Sequence, residues 1–207
     1  MIDIFISLIA LIILSPIFIY VAIKVQRNLG SPIFYLQERP GKNGKVFKMI
    51  KFRSMRNAFD DQGNPLPDDQ RITPFGHKLR ETTLDEMPQL INVLKGDMSI
   101  VGPRPQLCEF MEHYTPHQMR RHEVKPGMTG LAQVSGRNHL SWEEKFDLDV
   151  KYVDSQSLLF DFKIMFKTVY VMIKKEGINA PDHAVGASRF SSHDNIKNVE
   201  SNSSSNS

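Results

Sequence analysis

The sequence predicts a small α/β fold, of the α+β type and mostly helical, with a membrane element at its N-terminus. Three features predict it. Residues 4–23 form an uncharged apolar run, residues 30–55 hold short β-prone stretches around a glycine-rich turn, and apolar residues recur at helical spacing in the second half. At 207 residues with 41% apolar content, the chain can build one core of ordinary size.

Composition narrows the class of protein. Cys108 is the only cysteine, so an internal disulfide and a cysteine-rich zinc site are excluded, and a reducing compartment is expected. The formal net charge is only +3, but basic residues cluster in and after the predicted β region. These are Lys42, Lys45, Lys48, Lys51, Arg53 and Arg56. Because no nucleic-acid-binding motif accompanies them, we expect phosphates on a lipid or nucleotide as the partner, and no nucleic acid.

The apolar run at residues 4–23 is long enough to cross the roughly 30 Å hydrocarbon layer of a bilayer. A signal peptide is disfavoured because Asp3 is the only charge ahead of the run and no small-residue cleavage site follows. Pro16 interrupts the run, since proline lacks an N–H and clashes with the carbonyl four residues earlier. Two geometries stay open: a kinked spanning helix, and a re-entrant hairpin in which Ser15 satisfies the freed carbonyls.

The rest of the chain divides into a hairpin, a loop and several helices. The β-prone stretches in residues 30–55 flank a Pro-Gly-Lys-Asn-Gly turn, which predicts a hairpin, and the phosphate-loop spacing is absent. Residues 60–69 are polar and rich in glycine and proline, which predicts an exposed loop. Helical patterns begin near Thr83 and recur at residues 142–153 and 158–175.

Residues 158–175 predict an amphipathic helix. Such a helix either packs into the core or lies on a membrane surface, and the lysines beside the apolar stripe favour the membrane surface. Beyond residue 180 apolar residues thin out, so the tail at residues 181–207 is predicted to be disordered. The apolar stripe consists of Leu159, Phe162, Phe166, Val169, Tyr170 and Ile173.

Asp85 and Glu86 are adjacent acids at a predicted helix start. Thr83 and Glu86 match a capping box, so capping alone could explain the pair. Pro88 is harmless only in a first helical turn, which would place both carboxylates at the positive helix end, where a phosphate can also bind. Two adjacent carboxylates can have different roles. One acts as a nucleophile, and the other holds a divalent cation that bridges phosphate oxygens.

Three arginines are candidates for binding phosphate. Arg104 lies between two prolines, whose fixed φ angles stiffen the turn that aims its guanidinium. Arg80 precedes the acid pair, and Arg137 follows a glycine-rich stretch that allows close backbone approach to a ligand. A solvated surface arginine is the simpler interpretation of each.

Asp149 would share a helix side with apolar residues, and a buried acid needs a partner, a metal or a proton. A salt bridge with an arginine is the simpler interpretation. Asp147 and Asp149 also match an Asp-x-Asp metal motif, but side chains two apart on a helix diverge by about 200°. His113, His117 and His122 suggest zinc only weakly, because no acid or thiolate set accompanies them.

Several ordered motifs resemble the monotopic phosphoglycosyl transferases, a bacterial sugar transferase family that moves sugar phosphates onto a polyprenyl phosphate. The resemblance covers roughly residues 4–175. It includes the Ser15–Pro16 pair, QERPGKNGKVFKMIKFRSM, TLDEMPQLINVLKGDMSIVGPRP, RHEVKPGMTGLAQVSGRN and WEEKFDLDVKYV.

The resemblance implies a small cytoplasmic catalytic domain at residues 28–180, held on the bacterial inner membrane by a re-entrant helix at residues 1–27 and by amphipathic surface helices. It also implies a two-step reaction. Asp85 attacks the β-phosphate of a UDP-sugar and releases UMP, and the phosphosugar then passes to undecaprenyl phosphate. N-acetylated sugars are the donors that the resemblance favours. Formation of a homodimer is left open.

The resemblance further implies roles for the remaining candidates. Glu86 matches a Mg²⁺ ligand, with Asp149 and Asp161 as acidic supports. Phosphate or nucleotide binding is expected from Lys51, Arg80, Arg104 and Arg137.

Two other functions stay open on the residues alone. A direct glycosyltransferase would use Asp147 and Asp149 as a metal motif and would release UDP. A non-enzymatic membrane-associated module would bind its ligand equally well after Asp85→Asn.

Overall fold

The protein consists of a long N-terminal helix packed along a small domain. The mixed, mostly helical α/β class and the apolar N-terminal helix agree with the sequence-based prediction. The structure, a computed structural model, describes residues 2–136 and 139–174, so the predicted tail at residues 181–207 lies outside it. The helices are α1 (Ile2–Leu29), α2 (Asp68–Arg71), α3 (Pro74–Glu81), α4 (Gln89–Lys95), α5 (Pro116–Met119), α6 (Leu131–Ser135), α7 (Trp142–Ser155) and α8 (Leu158–Lys174). The strands are β1 (Phe34–Pro40), β2 (Val46–Phe52), β3 (Ser99–Val101) and β4 (Gly127–Thr129).

The predicted hairpin is confirmed. Strands β1 and β2 pair antiparallel, from Phe34 opposite Phe52 to Pro40 opposite Val46. The turn between them contains Asn43 at φ 56°, a left-handed conformation that asparagine tolerates better than most residues. The second sheet, β3 paired parallel with β4, was not predicted, because three-residue strands carry too little pattern to detect.

A buried amide docks α4 onto the hairpin. Asn92 is fully buried, its Nδ2 donates to the carbonyl of Lys48 at 2.9 Å, and its Oδ1 accepts from the Ile50 N–H at 2.9 Å. Met49 and Val93 pack together beside this contact. The turn that precedes α4 is therefore held against strand β2.

Helix α1 continues through the predicted break at Ser15–Pro16. The hydroxyl of Ser15 donates to the carbonyl of Ile12 at 2.8 Å. This is the carbonyl that Pro16, having no N–H, leaves without its usual helical donor. Ser15 thus compensates the proline as predicted, although the helix does not end there.

Both ends of α1 contact the same domain. Near the N-terminal end, Asp3 accepts hydrogen bonds from the Ser99 hydroxyl at 2.9 Å and from the Ile100 N–H at 3.2 Å. Near the C-terminal end, Val25 is fully buried in a core that includes Phe52. The structure therefore holds both ends of α1 against one domain, with the helix continuous between them.

The apolar side of α8 is exposed. Leu159 and Phe166 are 84% and 75% exposed, whereas Ile164 on the opposite side is buried in the core. Of the two roles left open for this helix, the exposure favours a membrane surface over core packing. Among the described residues, α1 is the one helix long and apolar enough to cross a membrane, and most of its apolar side chains are exposed as well.

If α1 is re-entrant, its N-terminal end and the domain must lie on the same side of the membrane. A cysteine placed at Ile2, in a Cys108→Ser background, should react with a membrane-impermeant maleimide from the same side of sealed, oriented vesicles as native Cys108 does. Reaction from opposite sides would establish a spanning helix. Detergent-opened vesicles, in which both thiols should react, serve as the control.

Candidate active site

The two adjacent acids lie in a 3₁₀ turn, Leu84–Glu86, just before α4. The predicted helix start near Thr83 is wrong by several residues: α4 begins at Gln89, and Thr83 adopts φ 58° and makes no side-chain cap. The reason is Pro88, whose missing N–H prevents an α-helical bond back to Leu84. The capping box is therefore not formed, and the Glu86 side chain is free for other contacts.

Glu86 pairs with two cations from distant parts of the chain. Its Oε1 lies 2.8 Å from Lys51 Nζ and 2.6 Å from Arg104 Nη2, and its Oε2 accepts from Arg104 Nη1 at 3.1 Å. Burial alone would raise the pKa of Glu86, but attraction to Arg104 and Lys51 outweighs it and holds the pKa well below its usual range. Glu86 is therefore a permanent anion at neutral pH.

Asp85 differs from its neighbour. It is buried, and among the described residues its carboxylate has no hydrogen-bond or ion-pair partner. Burial, with repulsion from Glu86, raises the pKa of Asp85 to about 6, against the attraction of Lys51, Arg80 and Arg104. At neutral pH it is mostly ionised, desolvated and unpaired, which is the condition of a nucleophile rather than of a structural acid.

Arg80 lies on α3, close enough to Asp85 to lower the pKa of that carboxyl. Its Nε donates to the Ser54 hydroxyl at 2.9 Å. The structure thus brings Lys51, Arg80 and Arg104, three of the four predicted phosphate-binding residues, around the acid pair. Arg137, the fourth predicted basic residue, lies outside the described residues.

The turn that carries Arg104 is held by a buried ion pair. Arg121 Nη2 donates to the carbonyl of Arg104 at 2.7 Å and to Asp149 Oδ2 at 2.6 Å, and the side chains of Arg121 and Asp149 are 1% and 4% exposed. The hydroxyl of Tyr114 accepts a further hydrogen bond from Arg121 at 2.8 Å. The salt bridge expected as the simpler role of Asp149 is present, and it supports the Arg104 backbone.

The Asp-x-Asp interpretation does not agree with the structure. Asp147, two residues from Asp149 on α7, has a 69% exposed side chain and pairs with His117 at 3.3 Å. Asp149 points into the core toward Arg121. The two carboxylates therefore face different surroundings and do not form one metal site.

The three acids predicted to support a metal are not grouped. Asp149 pairs with Arg121, and Asp161 accepts from the Tyr152 hydroxyl at 2.7 Å. Within residues 2–136 and 139–174, no three His, Cys, Asp or Glu side chains form a group that could hold a metal ion. A zinc site at the histidines is equally unsupported within these ranges.

The acid pair by itself is compatible with magnesium. Glu86 accepts three bonds from its two cations, which leaves about one of the roughly four acceptor positions of a carboxylate. Among the described residues, no donor occupies any of the acceptor positions of the Asp85 carboxylate. Since Mg²⁺ is commonly held by one or two carboxylates, with waters and substrate phosphates completing its shell, the pair fits a cation bound mainly through a phosphate ligand.

Sequence reasoning missed two residues that position the site, Asn92 and Arg121. Asn92 is a buried polar residue between buried positions on α4, and such an interruption of an apolar face could have signalled a docking contact. Arg121 lies between Arg120 and His122 in a basic run, where nothing local separates a buried cation from an exposed one.

A family model described as bacterial sugar transferase matches residues 1–175, which covers every described residue.

Three relatives illustrate the similarity. An uncharacterized sugar transferase, EpsL, of Bacillus subtilis is 51% identical over 85% of this chain and 87% of its own length. An undecaprenyl-phosphate galactose phosphotransferase of Salmonella typhimurium is 42% identical over 84% of this chain and 40% of its own length. A UDP-glucose:undecaprenyl-phosphate glucose-1-phosphate transferase of Xanthomonas campestris is 42% identical over 80% of this chain and 37% of its own. This chain thus spans less than half of the two longer relatives.

The buried pair predicts a large difference between two neighbouring acids. Asp149→Asn leaves the Arg121 charge buried without compensation and should lower the free energy of unfolding by about 3–5 kcal/mol. Asp147→Asn, on the exposed side of the same helix, should change it by less than about 0.5 kcal/mol. Denaturant unfolding of the detergent-solubilised protein, followed by the fluorescence of the single tryptophan Trp142, measures both. Equal stability of the two variants would contradict the structural role of Asp149.

Proposed function

The chain belongs to the bacterial sugar transferase family, and from that premise we propose that it is a phosphoglycosyl transferase. It moves a sugar 1-phosphate from a UDP-sugar to undecaprenyl phosphate and releases UMP. The reaction passes through a covalent phosphosugar on Asp85 and is the first membrane step in the assembly of a polysaccharide or glycoconjugate. The names of the Salmonella and Xanthomonas relatives, both undecaprenyl-phosphate transferases, support this assignment.

One observation carries the proposal: two adjacent carboxylates differ in ion pairing and in the direction of their pKa shifts. Glu86 is bonded to Lys51 and Arg104, whereas Asp85 is buried beside the same cations and has no partner in the part of the chain that the structure describes. A structural acid would have a partner of its own. The arrangement suits a nucleophile that attacks an anionic phosphate, because neighbouring positive charge screens the repulsion between the two anions.

The first step forms one bond and breaks one. A carboxylate oxygen of Asp85 attacks the β-phosphorus of the UDP-sugar, and the bond from that phosphorus to the bridging oxygen breaks. UMP leaves with the electron pair. An oxygen of undecaprenyl phosphate then attacks the same phosphorus, which returns Asp85 to its carboxylate form.

The cations around the pair supply charge stabilisation. Arg104 offers a planar guanidinium, which suits two oxygens of one phosphate, and Lys51 offers a mobile point charge. Both are already held by Glu86, so they do not need to be ordered when substrate binds. Preorganised charge of this kind is the main contribution that a protein makes to phosphoryl transfer.

Mg²⁺ is proposed as the cofactor, with Glu86 and the substrate diphosphate as its ligands and Asp85 next to it. When bound, it would neutralise charge on the phosphate oxygens and the leaving UMP. Asp149 and Asp161 are assigned structural roles instead, because Arg121 and Tyr152 occupy them.

The donor sugar and the location belong to the same proposal. The family resemblance favours an N-acetylated UDP-sugar, and relatives named for galactose and glucose add UDP-galactose and UDP-glucose. UMP release across a panel of these donors with undecaprenyl phosphate identifies the substrate. We place the domain on the cytoplasmic face of the bacterial inner membrane, where UDP-sugars are made and where the exposed apolar sides of α1 and α8 contact lipid.

With UDP-sugar but no undecaprenyl phosphate, the enzyme should release a burst of UMP close to its own concentration and carry a phosphosugar on Asp85. Asp85→Asn should abolish both, because an amide of nearly the same shape is a poor nucleophile. Rapid quench with nucleotide analysis measures the burst, and peptide mass spectrometry locates the adduct.

Asp61→Asn, a change of the same type in an exposed loop, is the matched control and should leave the burst intact. Brisk turnover by the wild-type enzyme with neither burst nor adduct would favour direct attack by the lipid phosphate. Full activity of Asp85→Asn would exclude Asp85 as the nucleophile. Ligand binding without turnover, equal in wild type and Asp85→Asn, would favour the binding-module alternative.

Removal of divalent cations should reduce the UMP burst by about 100-fold or more, and excess Mg²⁺ should restore it, since a single Lewis acid on a transferring phosphoryl group contributes several kcal/mol. Glu86→Gln should raise the Mg²⁺ concentration needed for half activation. Mn²⁺ binding in the presence of UDP, followed by electron paramagnetic resonance, gives a readout independent of turnover. Complete turnover after exhaustive chelation would remove Glu86 as a metal ligand.

A further inference from the structure

Arg39 lies on the face of the hairpin that looks toward the acid pair. Residues directly opposite each other in an antiparallel pair project to the same face, and so do alternate residues of one strand. Lys51 reaches Glu86 from this face. The cross-strand pairs that share it are Tyr35 with Lys51, Gln37 with Met49, and Arg39 with Phe47.

The guanidinium of Arg39 has few hydrogen-bond acceptors for its donors. Its Nη2 donates to the side-chain oxygen of Gln37 at 2.8 Å, and within residues 2–136 and 139–174 its buried Nε has no hydrogen-bond partner. Among the described residues Arg39 forms no ion pair with a carboxylate. A guanidinium has five N–H donors, and leaving a buried charged donor unmatched is costly.

Nearby groups do not supply the missing negative charge. Burial and the repulsion of Arg104 lower the pKa of Arg39 to about 10, and the weaker attraction of Glu86 does not offset them. Glu86 is already bonded to Arg104 and Lys51. Burial also raises the pKa of the Cys108 thiol, so this neighbour is neutral.

The charges around the acid pair therefore do not balance. Two carboxylates, Asp85 and Glu86, face four cations. Among the described residues neither Arg39 nor Arg80 forms an ion pair with a carboxylate; Arg80 Nε donates to the Ser54 hydroxyl, whereas Arg39 Nε is buried without a hydrogen-bond partner. The four cations are Arg39, Lys51, Arg80 and Arg104. An anion with several oxygens, placed between Arg39 and Arg104, would relieve their repulsion and accept from the Nε of Arg39.

We propose that Arg39 and Arg104 together form a phosphate-binding site, with Arg39 donating from its Nε to a phosphate oxygen of a substrate. The phosphate belongs either to the diphosphate of the sugar nucleotide or to the headgroup of the polyprenyl phosphate. This assignment of the two sources rests on the proposed function, whereas the anion site itself rests on the geometry of Arg39. Arg39 is then a substrate-binding residue that the sequence motifs did not single out.

The test compares full-length wild-type protein with Arg39→Gln, Arg39→Lys and Arg120→Gln. Arg120 is an exposed arginine paired with Asp154, so its substitution is the matched control for loss of one arginine. Calorimetric titration with inorganic pyrophosphate measures the anion site without turnover. The half-saturating UDP-sugar concentration of the UMP burst measures donor binding, and the KM for undecaprenyl phosphate measures acceptor binding.

Arg39→Gln should weaken pyrophosphate binding by about 10- to 100-fold, the loss expected for one charge-assisted hydrogen bond. Arg39→Lys should lose less, because it keeps the charge but not the planar fork, and Arg120→Gln should match wild type. If the bound phosphate is the donor's, the half-saturation of the burst rises by the same factor. If it is the acceptor's, the burst is unchanged and the KM for undecaprenyl phosphate rises.

Wild-type values for all three measurements in a folded Arg39→Gln protein would overturn the proposal. If Arg39→Gln does not fold, Arg39→Lys decides the question, and wild-type values there overturn it equally. If wild-type protein shows no turnover with any donor while Arg39→Gln still weakens pyrophosphate binding, the proposed function fails and the anion site stands. If wild-type protein turns over and Arg39→Gln matches it in all three measurements, the proposed function stands and the anion site fails.

Discussion

The ion-paired cluster of Glu86 with Lys51 and Arg104 is the contact on which the rest of the site depends. It joins strand β2, the turn before α4 and the turn after β3, which are separated by 35 and 18 positions along the chain. Because Glu86 satisfies both cations, they stay fixed beside Asp85 without neutralising it. The same cluster therefore joins three distant segments of the chain and leaves the neighbouring carboxylate of Asp85 unpaired among the described residues.

Further contacts hold each member of the cluster in place. Asn92 ties α4 to the backbone of β2, which sets the distance between Lys51 and the acid turn. The buried pair of Arg121 and Asp149 supports the carbonyl of Arg104. A buried ion pair contributes little net stability, since desolvation offsets most of the attraction. Its effect here is positional: it fixes a turn that has neither helix nor sheet to hold it.

The position of α1 gives the domain that carries this site an exposed apolar surface. Asp3 at one end and Val25 at the other both contact the domain, while the apolar side chains between them are largely exposed. The exposed side of α8 adds a second apolar surface. An enzyme that joins a water-soluble nucleotide sugar to a lipid phosphate needs its cations at the boundary between the two phases, and this arrangement of helices suits that location.

The sequence by itself determined the elements that local patterns encode. These are the hairpin around Asn43, the amphipathic α8, the apolar α1 with Ser15 compensating Pro16, and the adjacent acids with an arginine turn downstream. It also led to the family, because several ordered motifs occur together. The start of α4 was misplaced, because Pro88 favours a 3₁₀ turn where the capping pattern suggested a helix.

Only the tertiary structure decided which charges meet. Lys51 and Arg104 pair with Glu86, Arg121 pairs with Asp149 across 28 positions, and Arg39 is left with an unmatched donor. No local pattern encodes these outcomes, because the pKa and partner of a charged side chain depend on burial and on neighbours brought together by folding. The sequence determined which residues could carry the chemistry, and the packing of the hairpin against α4 decided which of them are paired and which remain free to react.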